Sequence, residues 1–72
     1  MKTIHRDEYK KLIEKLITAR KNAGLTQQSL ADELKKPQSY VSKYENCERR
    51  LDALEFIEIA KILEVDTKNI FN

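Results

Sequence analysis

The chain has 72 residues, one cysteine, one histidine and no tryptophan, so it can build neither an internal disulfide nor a four-ligand zinc site. At the small end of what folds unaided, its stability is expected from packed helices or from association. A charged fraction of 36%, with one glycine and one proline, excludes a disordered low-complexity chain and a turn-rich β-sandwich.

No apolar run approaches the roughly 18 residues of a membrane span, and Met1, Lys2 and Thr3 lead into no signal-peptide core. A cytoplasmic protein folded as a single domain over residues 1–72 is expected, with no membrane contact. Net charge is +2, distributed unevenly: residues 1–50 hold 12 Lys/Arg against 7 Asp/Glu, and residues 51–72 hold 2 against 5. A basic front and an acidic back fit a chain that turns one face to a polyanion, against the plainer alternative of charge scattered over solvated helices.

The first helix is expected to start between Ile4 and Glu8 and to run to Asn22. Tyr9, Leu12, Ile13, Leu16, Ile17 and Arg20 recur at helical spacing as a single stripe, and Lys10, Lys11, Glu14, Lys15 and Lys21 fill the solvated side. Asp7 and Glu8 at its start and Arg20 and Lys21 at its end suit the helix dipole. Gly24, the only glycine, falls where a helix terminus wants a left-handed residue.

Thr26 is placed to cap a second helix, with Leu25 and Leu30 as a hydrophobic staple. Ser29 stands where a capping box would have Glu or Gln, so the cap is expected to be half built. Leu30, Ala31 and Leu34 form its inward face. Lys35 and Lys36 make a turn, and Pro37 suits the first position of a third helix. In that helix Gln38, Ser39, Ser42 and Lys43 share an arc of about 140°, with Val41 and Tyr44 opposite. Amides and an amine can read base edges in a DNA major groove, and hydroxyls can take phosphates.

A polar, largely basic loop follows, Asn46 to Arg50. Asp52 is placed to cap a fourth helix running to Leu63, whose Leu54, Phe56, Ile57, Ile59, Ala60, Ile62 and Leu63 make more than one apolar stripe. Such a helix is either central in the core or faces a second partner. A short fifth helix is expected after Val65, with Thr67 as its cap and Ile70 and Phe71 as its apolar residues. The fold class expected is all-α, a compact five-helix domain.

LTQQSLADEL, then PQSYVSKYEN, then ERRLDALEFIEIAKILEVD, in that order and spacing, closely resemble the Cro/repressor-type helix-turn-helix domains of bacterial and phage regulators, called XRE-like, with a lambda-repressor-like fold. The resemblance covers the chain from about Leu16 to its end. It implies a DNA-binding transcriptional regulator, a homodimer on a two-fold related operator, with double-stranded DNA as partner. Gln38, Ser39, Ser42 and Lys43 match positions that face the major groove. Gln27, Tyr40, Arg49 and Arg50 match or adjoin positions that contact the phosphate backbone. Arg20 and Glu45 match a pair that forms a partly buried salt bridge in some relatives. The family commonly has glycine where this chain has Lys35 and Cys47, so strain of on the order of 1 kcal/mol is expected there, unless a neighbour such as Asn46 takes the left-handed conformation.

The surplus apolar surface of residues 54–71, especially Leu63, Val65, Ile70 and Phe71, is the candidate dimer surface; the competing reading is that these residues close the core. For the four residues of the third helix the competing reading is an ordinary solvated face, and for Arg49 and Arg50 a solvated loop. Cys47 reads as an inert thiol, since nothing near it in sequence strongly lowers its pKa. One histidine supports no catalytic arrangement and no glycine loop could cradle a phosphate, so no enzyme, metal, cofactor or small-molecule ligand is expected. The rival to a DNA-binding regulator is a protein–protein adaptor or antitoxin-like module with the same fold.

Overall fold

A computed structural model describes residues 6–66 and 68, and of Arg6 its backbone. Four helices lie among them: α1 Arg6–Asn22, α2 Gln27–Leu34, α3 Gln38–Glu45 and α4 Ala53–Ile62. The class is all-α. The expected fifth helix, with Thr67, Ile70 and Phe71, falls outside the described residues.

The core gathers one stripe from each helix. Ile13 and Leu16 of α1, Leu30 and Ala31 of α2, Val41 and Tyr44 of α3, and Ile59 and Ala60 of α4 are buried. Ala31 is small enough for α3 to pack closely on α2, while α1 meets α3 and α4 meets α2. Leu63 is only 6% exposed and Val65 is partly buried against the same cluster. Leu63 therefore closes the core of this chain instead of lining a free surface. The large apolar side chains that α4 leaves exposed are Leu54, at 72%, and Ile57, at 42%.

The caps hold the helix starts. Thr26 Oγ1 accepts from the Ser29 amide at 3.0 Å, and Ser29 Oγ accepts from the Thr26 amide at 2.8 Å. The expected half-built cap is thus complete, because a serine hydroxyl can accept as a carboxylate or amide oxygen would. Pro37 is the cap residue of α3 and not its first helical residue: its ψ of 156° is extended, and Tyr40 N donates to its carbonyl at 2.9 Å. Asp52 and Glu55 form a second full box at α4, where the Glu55 amide donates to Asp52 Oδ1 at 2.8 Å and the Asp52 amide to Glu55 Oε1 at 3.0 Å.

The helix ends share one device. Gly24, Lys35, Cys47 and Glu64 all have φ between 58° and 76°. After each, the next amide reaches back five residues: Leu25 to Arg20, Lys36 to Ala31, Glu48 to Lys43 and Val65 to Ala60, at 2.8–3.1 Å. These are Schellman closures, which satisfy carbonyls that a helix terminus would otherwise leave unpaired. Lys35 and Cys47 adopt the left-handed conformation themselves, whereas Asn46 keeps a φ of −87°.

Candidate nucleic-acid interface

On α3, Gln38, Ser39 and Lys43 are exposed and Ser42 is half-buried, while Tyr40, Val41 and Tyr44 face inward. The structure therefore brings the four expected reading residues to one side of one helix. The Schellman turn at Lys35 and the extended Pro37 set the direction in which that side points.

Behind this face runs a chain of polar contacts that reaches α1. Arg20 donates from Nε to Glu45 Oε2 at 2.7 Å, from Nη2 to Glu45 Oε1 at 3.2 Å and from Nη1 to the Leu25 carbonyl at 2.8 Å. Both side chains of this ion pair are at most 10% exposed. Removing one partner would leave the other charge buried and uncompensated, a loss of about 3–5 kcal/mol. Glu45 Oε1 also accepts from Gln27 Nε2 at 2.8 Å, and Gln27 Oε1 accepts from Gln38 Nε2 at 2.7 Å.

The direction of these bonds follows from one group. A carboxylate only accepts, so Gln27 must turn its NH₂ to Glu45 and its carbonyl to Gln38. Gln38 must then offer an N–H inward. Its carbonyl oxygen and second N–H remain at the exposed end, a donor and an acceptor side by side.

Tyr40 stands differently from its expected place at the phosphate backbone. It is 9% exposed, its ring meets Tyr44 edge-on at 5.9 Å, and its hydroxyl lies beside the Glu55 carboxylate. Burial, helped by the Glu55 charge, pushes the Tyr40 hydroxyl up to about 12. Lys36 Nζ lies 5.4 Å from the ring centroid and Arg49 Cζ 4.8 Å, so cations cover the ring.

The two loop arginines part company. Arg49 makes a bidentate pair with Glu55, at 3.0 Å and 2.8 Å, and does not project as a free cation. The Arg49 bond, with the Asp52 amide, holds the Glu55 carboxyl down at about 2, well below the usual carboxylate range. Arg50 is exposed, lies over the Tyr9 ring with Cζ 4.7 Å from its centroid, and pairs with no carboxylate among the described residues. The Tyr9 hydroxyl accepts from the Leu51 amide at 3.2 Å and so ties the loop to α1.

Glu55 and Tyr9 were not singled out for these roles by the sequence. Asp52-x-x-Glu55 carries a capping-box spacing from which the bond to the Asp52 amide could have been read. The stacking of Arg50 on Tyr9 spans 41 positions and has no such local signal.

The fold has known counterparts. A helix-turn-helix family model matches residues 16–69. Among solved structures, an XRE-family like protein from Pseudomonas syringae pv. tomato str. DC3000 superposes with a TM-score of 0.87 at 43% sequence identity, over 93% of this chain and 82% of that one. No curated protein matches the sequence. Three quarters of the chain thus falls within a helix-turn-helix model, and its contacts position an exposed polar face on the second helix of that motif. The chain belongs to the XRE family of helix-turn-helix proteins, which are DNA-binding regulators.

Proposed function

We propose that the protein is a sequence-specific transcriptional regulator that acts in the cytoplasm and binds a two-fold related operator as a homodimer. Gln38, Ser39, Ser42 and Lys43 enter the major groove. The observation that carries this reading is the hydrogen bond from Gln38 to Gln27, with Gln27 in turn bonded to Glu45. It sets the Gln38 amide so that its outer oxygen accepts from adenine N6 while its second N–H donates to N7. Held this way before DNA arrives, the side chain loses little further freedom on binding. Lys43, exposed and without an ion pair among the described residues, reaches guanine.

Phosphates flank that groove contact. Gln27 opens α2, where unpaired amides and the helix dipole favour an anion, and its second amide hydrogen adds a donor. Arg50 supplies a cation from the loop on the other side of α3.

One helix reads only a few base pairs, so specificity calls for a second copy about one turn of DNA, roughly 34–36 Å, away. Leu54 and Ile57 offer apolar surface for that contact among the described residues, in place of Leu63 and with Val65 partly buried.

Binding measured against salt tests the reading. A chain that neutralises several phosphates loses affinity with a log–log slope of about −0.9 per phosphate. The Lys43→Ala variant is expected to relax base preference with little change in slope, and Arg50→Ala to weaken all sequences alike. If neither change alters DNA binding, this face is not the DNA-binding face and a protein–protein adaptor becomes the better description.

A further inference from the structure

Arg49 and Arg50 are adjacent in sequence but differ in chemical surroundings. Arg49 gives Nη1 to Glu55 Oε1 at 3.0 Å and Nη2 to Glu55 Oε2 at 2.8 Å, the forked geometry in which guanidinium and carboxylate match best. Its Nη1 also reaches the Arg50 carbonyl at 3.3 Å, and its plane sits against the Tyr40 ring. Glu55 is more than an ion-pair partner. It accepts from the Asp52 amide at the start of α4 and lies beside the Tyr40 hydroxyl of α3. One carboxylate therefore holds the loop to the start of α4, next to the recognition helix.

The fork neutralises Arg49 and fills one edge of its guanidinium, so a DNA phosphate must either share the arginine with a nearby carboxylate or displace that carboxylate. Sharing sets two anions side by side and displacement leaves Glu55 uncompensated, so either gains little. Arg50 has no such competitor: its guanidinium is exposed and meets only an aromatic ring.

We propose that Glu55 is a positioning residue that withholds Arg49 from the DNA backbone, so that of the two arginines only Arg50 neutralises a phosphate. Arg49 then serves to fix the loop on Tyr40, and with it the place from which Arg50 reaches out. The inference rests on the DNA-binding reading of this face and adds a division of labour between two like side chains.

The test is a salt titration of binding to one random-sequence duplex by the full chain and its variants, with helicity and melting temperature checked for each. Arg50→Ala is expected to reduce the log–log slope by about 0.9, the value for one phosphate, and Arg49→Ala to leave it unchanged. Glu55→Gln is expected to steepen the slope by up to about 0.9, because it frees Arg49 to take a phosphate. That gain is something a loosened loop would not produce. It should vanish in the double variant Arg49→Ala/Glu55→Gln.

A slope for Arg49→Ala that falls as far as that for Arg50→Ala overturns the proposal, and that comparison stands even if Glu55→Gln does not fold. A steepening that survives in the double variant also overturns it, since that variant keeps the net charge of the unmodified chain and has no Arg49 to take a phosphate. If the unmodified chain shows no salt-sensitive DNA binding, the DNA-binding reading fails and takes this inference with it. If the unmodified chain binds and the arginines behave alike, this inference fails by itself.

Discussion

Tyr44 sits at the centre of the residue-scale account. Its side chain is fully buried, yet its hydroxyl has no hydrogen-bond partner among the described residues. Burial raises its phenol far above the ordinary value, with the Glu45 charge as the next cause, so it stays neutral. An unsatisfied buried hydroxyl costs about 1–3 kcal/mol, whereas a ring without it keeps the packing. The Tyr44→Phe variant is therefore expected to melt at the same temperature or higher in a thermal scan. A loss of 1 kcal/mol or more would show that the hydroxyl has a stabilising partner. The roles of neighbouring polar residues were unequally legible in the sequence. Arg20 interrupts an apolar stripe and so announces a need for a partner. Gln27 does not: its bond to Glu45 crosses 18 positions and exists only because α2 and α3 meet at this angle. The phosphate contact expected of Tyr40 rests on the resemblance, which does not foresee that α4 brings the Glu55 carboxylate beside its hydroxyl.

At the scale of elements, the four helix ends are one solution used four times, with glycine in only the first. Gly24 is the place where the closure is free of side-chain strain. Lys35, Cys47 and Glu64 adopt the same conformation with a Cβ. Lys35→Gly is expected to stabilise the protein by up to about 1 kcal/mol, the strain relieved less the extra freedom glycine gives the unfolded chain. For a domain of this size that is a rise of at most about 4–8 °C in melting temperature, with DNA preference unchanged. An unchanged or lower melting temperature would mean that the turn carries no strain. The helices themselves were legible from hydrophobic spacing, from Thr26 and Asp52 as caps, and from the lone glycine. What escaped was the strength of the caps, since a Ser29 hydroxyl stands in for the usual carboxylate, and the exact start of α3, since Pro37 fits both cap and first position. The left-handed turn at Glu64 was invisible because no glycine marks it.

Across the whole molecule, the basic first part of the chain carries the polar face of α3 and the exposed Arg50, and the acidic last part carries α4. The excess of apolar residues on α4 resolves into two sets: Phe56, Ile59, Ala60 and Leu63 close the core, and Leu54 and Ile57 remain outside. A sequence alone cannot make that division, because both sets satisfy a broad helical stripe and only the crossing of α4 on α2 decides between them. The central claim is that a hydrogen-bonded Gln38 and its neighbours on α3 read base edges. Selection of bound sequences from a random DNA pool tests it most directly, run in parallel with the unmodified chain and with Gln38→Ala. The account predicts that the unmodified chain enriches a two-fold related sequence with an adenine at a fixed place in each half, and that Gln38→Ala loses the preference at that place alone. Enrichment of no sequence, or of the same sequence at every position by both proteins, would contradict it.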